Sequence, residues 1–152
     1  MRSRLPVSIL LGVRDGQKLF FVMLAALCLN TLSGCGNDPF SYVPVSGKVT
    51  YEDGSLIPGD DLQLFFYPIG GELNAKTHPR PGQAIIDPAT GQFSEVTSHK
   101  PGAGLVPGKY KVTVYSREPN IVPREYTIDT KTPLEVDTAS VPFDIKVPKP
   151  KK

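Results

Sequence analysis

The chain lacks tryptophan, has only two cysteines among its 152 residues, and contains no apolar run as long as the ~20 residues that a membrane-spanning helix needs. Its longest uncharged apolar run covers residues 19–29 and has 11 residues. That length suits the core of a secretory signal, so a permanent transmembrane anchor is the weaker interpretation.

Helix-breaking residues, in contrast, are abundant. The chain has 14 glycines and 16 prolines, which together make up about a fifth of its length. Both residues are costly inside helices and common in turns, so a helical bundle and a coiled coil are excluded. The composition predicts one turn-rich β-domain.

The N-terminal segment has the order of a secretory signal, in which basic residues precede an apolar run and small residues follow it. The basic residues are Arg2, Arg4, Arg14 and Lys18. Residues 1–34 are therefore predicted to form a signal helix that is removed. The rest of the chain is divided into a tether over 35–43, a β-domain over 44–147 and a basic Pro/Lys tail over 148–152.

Directly after the apolar run, Leu32, Ser33, Gly34 and Cys35 resemble the lipobox of bacterial lipoproteins. The resemblance implies a thioether between Cys35 and diacylglycerol, cleavage before Cys35 and acylation of the freed amine. An ordinary signal peptide that contains a cysteine is the alternative. With Cys28 discarded and Cys35 lipidated, the remaining chain has no thiol for a disulfide, a nucleophile or a metal ligand.

The positive charge of the chain belongs largely to the signal segment. The whole chain has a formal charge of +2, and residues 1–34 contain four basic residues against one acidic residue, so the remaining 118 residues have a charge of −1. Four of the remaining basic residues are lysines at 146–152, so residues 35–145 have a net charge of −5, from 9 basic and 14 acidic residues. No basic stripe with interleaved aromatic residues is left to follow a phosphate backbone, so nucleic-acid binding is excluded.

Short segments of strand-forming residues, separated by Gly/Pro turns, predict about seven β-strands and no helix after residue 35. Residues 45–51 alternate between an apolar face and a wet face, residues 62–67 are dense enough to be buried on both faces, and residues 109–115 form the clearest alternating strand. The other predicted strands are 83–87, 91–97, 134–136 and 143–147, and residues 88–90 between the first two are predicted to be a hairpin connection. This count favours a two-sheet sandwich.

One strand has an irregular pattern. Phe93 and Val96 are three residues apart, so strict alternation cannot place both side chains in the core. We expect a β-bulge at Ser94 or Glu95, which restores the register. The alternative is that Val96 faces solvent near the sheet edge.

Four short motifs together resemble small bacterial lipoproteins with a carboxypeptidase-regulatory-like, transthyretin-like domain. They are VSGKVTY (45–51), GQF (91–93), GKYKVTV (108–114) and VPREY (122–126), the last followed by TPLEV (132–136). The resemblance implies an all-β, seven-stranded, Ig-like or prealbumin-like β-sandwich without known catalytic residues.

Catalytic and metal-binding groups are scarce. The two histidines, His78 and His99, lie in predicted loops and lack the spacing of a zinc motif, so both are expected to be solvated surface residues. The acidic groups Glu52–Asp53, Asp60–Asp61 and Asp129 suit turns, and no calcium-loop motif is present. We therefore expect no catalytic residue, no metal and no cofactor.

The outward positions of the strands leave one candidate binding feature open. Phe65, Tyr67 and Tyr115 lie opposite the best core positions and are candidates for an exposed platform for a glycan or a protein. The alternative is that they pack against the second sheet or under the loop at 70–82.

These features together predict a membrane-anchored lipoprotein that presents a non-catalytic β-sandwich for binding, adhesion or envelope structure. The implied partners are membrane lipid through diacylglyceryl-Cys35 and an envelope protein or glycan. In the lipoproteins that the lipobox resembles, an Asp directly after the lipidated cysteine commonly marks inner-membrane retention in some Gram-negative bacteria. Gly36 stands at that position, so the resemblance favours the outer membrane, facing the periplasm or the surface. The alternatives are an accessory or catalytic domain for envelope glycans or peptides, and a carrier with an apolar cavity between its sheets.

Overall fold

Seven β-strands make up the sandwich in the computed structural model, which describes residues 40–70 and 78–150. The predicted signal helix, the lipobox and Cys35 lie outside the described residues. The strands are β1 (Gly47–Tyr51), β2 (Gln63–Pro68), β3 (Gly82–Ile85), β4 (Gln92–Phe93), β5 (Lys109–Tyr115), β6 (Glu135–Asp137) and β7 (Phe143–Val147). The predicted all-β fold is confirmed, and β5 and β7 have the predicted bounds.

The helical content of the described residues is limited to two short 3-10 turns, Arg124–Thr127 and Thr138–Ser140. Neither turn, nor any other described segment, has the length and apolar character of a bilayer-crossing helix. As the high Gly and Pro content predicts, the rest of the described residues form strands, turns and irregular segments.

The strands form two sheets, a three-stranded sheet in the order β4-β1-β7 and a four-stranded sheet in the order β3-β2-β5-β6. All neighbours are antiparallel except β1 and β7, which run parallel and place Gly47 beside Phe143. A Cβ atom on Gly47 would collide with the carbonyl oxygen of Phe143, so only glycine allows this close pairing.

The core lies between the inner faces of the two sheets. Phe66 of β2 is fully buried and contacts the rings of Phe93 and Phe143, with centroid distances of 5.9 and 6.2 Å. Since Phe93 and Phe143 belong to the three-stranded sheet, this cluster joins the sheets. Leu64, Val112 and Val114 extend the same layer, as alternation predicts.

Two expectations about strand faces are wrong. Residues 62–67 are not buried on both faces: Leu64 and Phe66 are buried, whereas the outward Phe65 and Tyr67 are half-buried. Thr50, expected on a wet face, is only 2% exposed. Its hydroxyl accepts a hydrogen bond from Lys146 Nζ at 3.0 Å, because that long side chain lies along the outer face of the sheet.

Residues 86–97 connect the two sheets. The turn begins at Asp87, whose carbonyl accepts a hydrogen bond from the Gly91 amide at 2.7 Å. The following strand, β4, then pairs with β1. The sequence predicts a hairpin here, and the turn is present, but the second strand lies mainly in the other sheet.

The predicted bulge follows β4. Bridges pair Ile86 with Phe93 and Gln83 with Thr97, which leaves one extra residue on the second segment. Glu95 is this extra residue, and its backbone has a left-handed conformation with φ of 54°. Val96 is 0% exposed, so the bulge is confirmed and the alternative of a solvent-facing Val96 is wrong.

Candidate ligand-binding surface

The outer face of the four-stranded sheet carries aromatic rings and amides at positions that alternate with the core residues. We call this surface the aromatic face, and it consists of Gln63, Phe65, Tyr67, Gln83, Ile85 and Tyr115. The register places Gln63 between Ile85 and Tyr115. Apolar and hydrogen-bonding groups therefore lie next to each other across three strands.

Local contacts hold the side chains of the aromatic face in place. Phe65 and Tyr115 meet edge to face, with ring centroids 6.4 Å apart and an interplanar angle of 82°. Gln83 Nε2 donates a hydrogen bond to Gln63 Oε1 at 2.8 Å. Tyr115 is 47% exposed and Ile85 is 71% exposed, so large apolar groups remain in contact with solvent.

The three aromatic residues singled out in the sequence thus share one face. Phe65, Tyr67 and Tyr115 point away from the three-stranded sheet, so the alternative in which they pack against the second sheet is wrong. The other alternative places these side chains under the loop at 70–82. Residues 71–77 of that loop lie outside the described residues. Tyr115 is exposed, and Phe65 and Tyr67 are half-buried.

Charges at the β6 side of this face neutralise each other. Lys111 Nζ lies 2.7 Å from a carboxylate oxygen of Glu135, and it also donates a hydrogen bond to the Thr132 carbonyl at 3.2 Å. The hydrogen bond and the charge of Lys111 hold the pKa of Glu135 below its usual range. This ion pair adds no net charge to the aromatic face.

An open groove of about 1180 Å³ continues from the other side of the aromatic face, where residues 86–97 join the sheets. Gln83 and Ile85 belong to both surfaces. The remaining lining residues are mainly polar: Ser46, Gly47, Lys48, Ala84, Asp87, Gln92, Phe93, Ser94, Glu95, Thr97, Pro142, Phe143 and Asp144. Hydroxyls, amides and carboxylates therefore converge beside an exposed aliphatic side chain.

Asp87 contributes a fixed carboxylate to the groove. It accepts hydrogen bonds from the Thr90 hydroxyl at 2.7 Å and from the Ala89 amide at 3.0 Å, and these bonds lower its pKa. The carboxylate is thus ionised and oriented by its own turn. Such a group can accept hydrogen bonds from a ligand's hydroxyls with its remaining lone pairs.

The histidines do not belong to this surface. His99 Nε2 accepts a hydrogen bond from the Arg80 amide at 3.0 Å, and its ring packs against Phe40 with centroids 4.2 Å apart. His78 lies in the neighbouring loop and is half-buried. Both are therefore on loops as predicted, but both are partly covered instead of fully solvated.

The acidic residues named from the sequence serve mainly local structure. Asp53 accepts hydrogen bonds from both the amide and the hydroxyl of Ser55 and pairs with Lys149, which together lower its pKa, the lysine contributing most. Asp61 pairs with Arg117 at 3.1 Å. In the part of the chain that the structure describes, no three or more His, Cys, Asp or Glu residues group together as metal ligands.

The small space lined by Val49, Ile57, Leu62 and Ile86 in the described core is too small to hold a water molecule. It therefore offers no room for the hydrophobic cargo of a carrier protein.

The groove is the feature that sequence reasoning missed. Its lining residues come from positions 46–48, 83–97 and 142–144, which only the tertiary fold brings together. Comparison of the chain with protein-family models, curated proteins and solved structures found no match. The resemblance to carboxypeptidase-regulatory-like lipoproteins stays a prediction from the sequence motifs.

Proposed function

We propose that this protein is an exported lipoprotein that presents a non-catalytic β-sandwich as a binding module in the bacterial envelope. One observation carries the proposal: the aromatic face and the polar groove form a continuous exposed surface through their shared residues Gln83 and Ile85. The packed core does not require these outward side chains. Their exposure is typical of a surface that contacts a ligand.

Membrane anchoring is the second part of the proposal and rests on the lipobox of residues 32–35. Five residues lead from Cys35 to Phe40, the first described residue, and they reach about 17 Å at full extension. A lipid on Cys35 would therefore hold the sandwich close to the bilayer surface. Gly36 in place of Asp favours the outer membrane, and a carboxypeptidase-regulatory-like membership is consistent with the two-sheet architecture.

Replacement of the two cysteines tests the anchoring. Cys35→Ser should leave the protein unlipidated and shift it from the membrane fraction to the soluble fraction, whereas the matched control Cys28→Ser should stay membrane-bound. Mass spectrometry of the N-terminal peptide should show the diacylglyceryl and acyl increments only when Cys35 is present. Membrane fractionation of Cys35→Ser equal to that of the wild type, together with no mass increment on the wild-type N-terminal peptide, would contradict the anchoring.

A catalytic or accessory role on envelope glycans is the second candidate, because Asp87, Glu95 and Asp144 place three carboxylates along one groove. Paired carboxylates are the usual catalytic groups of glycoside hydrolysis. Incubation of the purified protein with envelope glycans, followed by analysis for new reducing ends, distinguishes the two roles. Product release that Glu95→Gln abolishes would replace the non-catalytic proposal.

A further inference from the structure

The side chains of the aromatic face form rows that run across the strands. One row contains Tyr115, Gln63 and Ile85, and a second contains Phe65, Gln83 and Thr97. Neighbouring strands are about 4.8 Å apart, so each step along a row advances by that distance. The rows lead from Tyr115 at one side into the groove at the other.

The groups on this surface are chemically complementary to an extended sugar chain. A pyranose ring presents C–H groups on its faces and hydroxyls around its edge, and its repeat in an extended polymer is close to the spacing between strands. Tyr115 and Phe65, which contact each other edge to face, offer apolar ring surface, while Gln63 beside Tyr115 and Gln83 beside Phe65 offer amide donors and acceptors. Apolar surface for the face of a sugar ring and amide groups for its hydroxyls thus lie side by side on this surface.

We propose that the aromatic face and the groove form one binding site for a neutral, extended polysaccharide that lies across the strands. The chain stacks on Tyr115, passes the Gln63–Gln83 amide pair and enters the groove beside Ile85. This inference deepens the proposed binding function and rests on it, but it does not depend on the lipid anchor.

The distribution of charge selects a neutral polymer. The groove has three carboxylates, of which Asp144 pairs with Lys146 at 3.1 Å, so Asp87 and Glu95 stand against the single lining cation Lys48. On the aromatic face, the nearby ion pair of Lys111 and Glu135 is neutral overall. Asp87 is held ionised by its own turn. A polymer with carboxylate or phosphate groups would bring like charges together, so the site disfavours it.

The same surface is less suited to a protein partner. The centre of a protein interface is depleted of charged residues and carries clustered aromatic anchors that become fully desolvated. Here each exposed apolar group lies next to an amide, and the Gln63–Gln83 pair occupies the centre. Burial under a dry interface would leave the remaining amide donors and acceptors without partners.

Calorimetric titration of the full-length protein in neutral detergent tests the proposal with three probes: cellohexaose, maltohexaose and a galacturonic acid hexamer. We expect at least one neutral hexasaccharide to bind and the anionic hexamer to bind more weakly. Tyr115→Ala should raise the Kd about ten-fold or more, which is the effect of removing an aromatic anchor. Gln83→Ala should also weaken binding.

The matched control is Leu56→Ala, since Leu56 is 38% exposed but lies outside both the aromatic face and the groove. It should leave the Kd unchanged. The proposal is overturned if neither neutral hexasaccharide binds, if the anionic hexamer binds more tightly, or if folded Tyr115→Ala binds as the wild type does. Lipidation of Cys35 is measured separately, so glycan binding and anchoring can fail independently.

Discussion

The two sheets of the sandwich have similar inner faces and very different outer faces. On the three-stranded sheet, the outward residues are mostly charged or polar: Lys48, Thr50, Gln92, Asp144 and Lys146. Lys146 pairs with Asp144 at 3.1 Å and also donates to Thr50. On the four-stranded sheet, the equivalent positions hold the rings and amides of the aromatic face.

This difference separates what the fold requires from what the proposed ligand would require. On the charged outer face, Lys146 pairs with Asp144 and Thr50 of the same face, and such a surface is ordinary for a solvated sheet. The aromatic face keeps Tyr115 and Ile85 in water, although polar residues at those positions would serve the fold equally well. We interpret the four-stranded sheet as the side that carries the aromatic part of the proposed binding surface, whereas the three-stranded sheet contributes one wall of the groove through Lys48, Gln92 and Asp144.

The largest expected effect is the difference in stability loss between alanine variants of Phe66 and Phe65, which are adjacent residues on opposite faces of β2. Phe66→Ala should destabilise the protein by about 3–5 kcal/mol, because Phe66 joins both sheets through Phe93 and Phe143. Phe65→Ala, on the aromatic face, should cost only about 1 kcal/mol. Urea denaturation measures both values. Equal losses would show that the aromatic face is part of the structural core.

Two buried threonines provide a finer comparison of the sheets. On the four-stranded side, the Thr132 hydroxyl donates to the Val112 carbonyl at 2.6 Å and accepts from the Leu134 amide at 3.2 Å. Thr132→Val leaves both groups unpaired and should cost about 1–3 kcal/mol. Thr50→Val on the other sheet should cost about 0.5 kcal/mol, since Lys146 keeps Asp144 as a partner.

Urea midpoints of the two threonine variants, each compared with the wild type, measure this difference. A larger loss for Thr50→Val than for Thr132→Val would mean that the charged outer face contributes more to stability than its exposed ion pair indicates.

The smallest expected effect is a loss of stability at alkaline pH, and it involves one buried tyrosine in each sheet, Tyr110 in β5 and Tyr51 in β1. Burial raises the pKa of Tyr110, whose hydroxyl donates to the Val106 carbonyl, to about 12. Above the usual pKa of 10.0 the unfolded chain loses this proton first, so stability falls as the pH rises from 10 towards 12. Burial also raises the pKa of Tyr51, but the charge of Lys149 opposes that shift.

Tyr110→Phe should therefore flatten the alkaline loss of stability more than Tyr51→Phe does. Urea denaturation at neutral pH and on either side of pH 10 measures the slope for each variant. A wild-type slope in Tyr110→Phe would assign the alkaline loss to other groups.

Local patterns were enough to predict most of the strands. The alternation in β5 and β7 matches their observed bounds, and the three-residue spacing of Phe93 and Val96 correctly indicated the bulge at Glu95. The outward positions of Phe65 and Tyr115 also followed from alternation, because a strand's side chains change face at every residue.

Features that depend on distant pairing were not predictable from these patterns. Alternation does not reveal that β4 pairs with β1, or that the groove combines three separated segments. The burial of Thr50 likewise depends on Lys146, which is 96 residues away in the chain. Periodicity reports which face a residue occupies, but not what covers that face.

The parallel pairing of β1 with β7 has a consequence for how the chain acquires its structure. The partner of Val49 is Ile145, so the three-stranded sheet stays incomplete until nearly the whole domain has been synthesised. Contacts between such distant residues slow folding, because a long loop must close before any hydrogen bond compensates for the lost chain entropy. The hairpin of β2 and β3 can form earlier, and β7 completes the sandwich last.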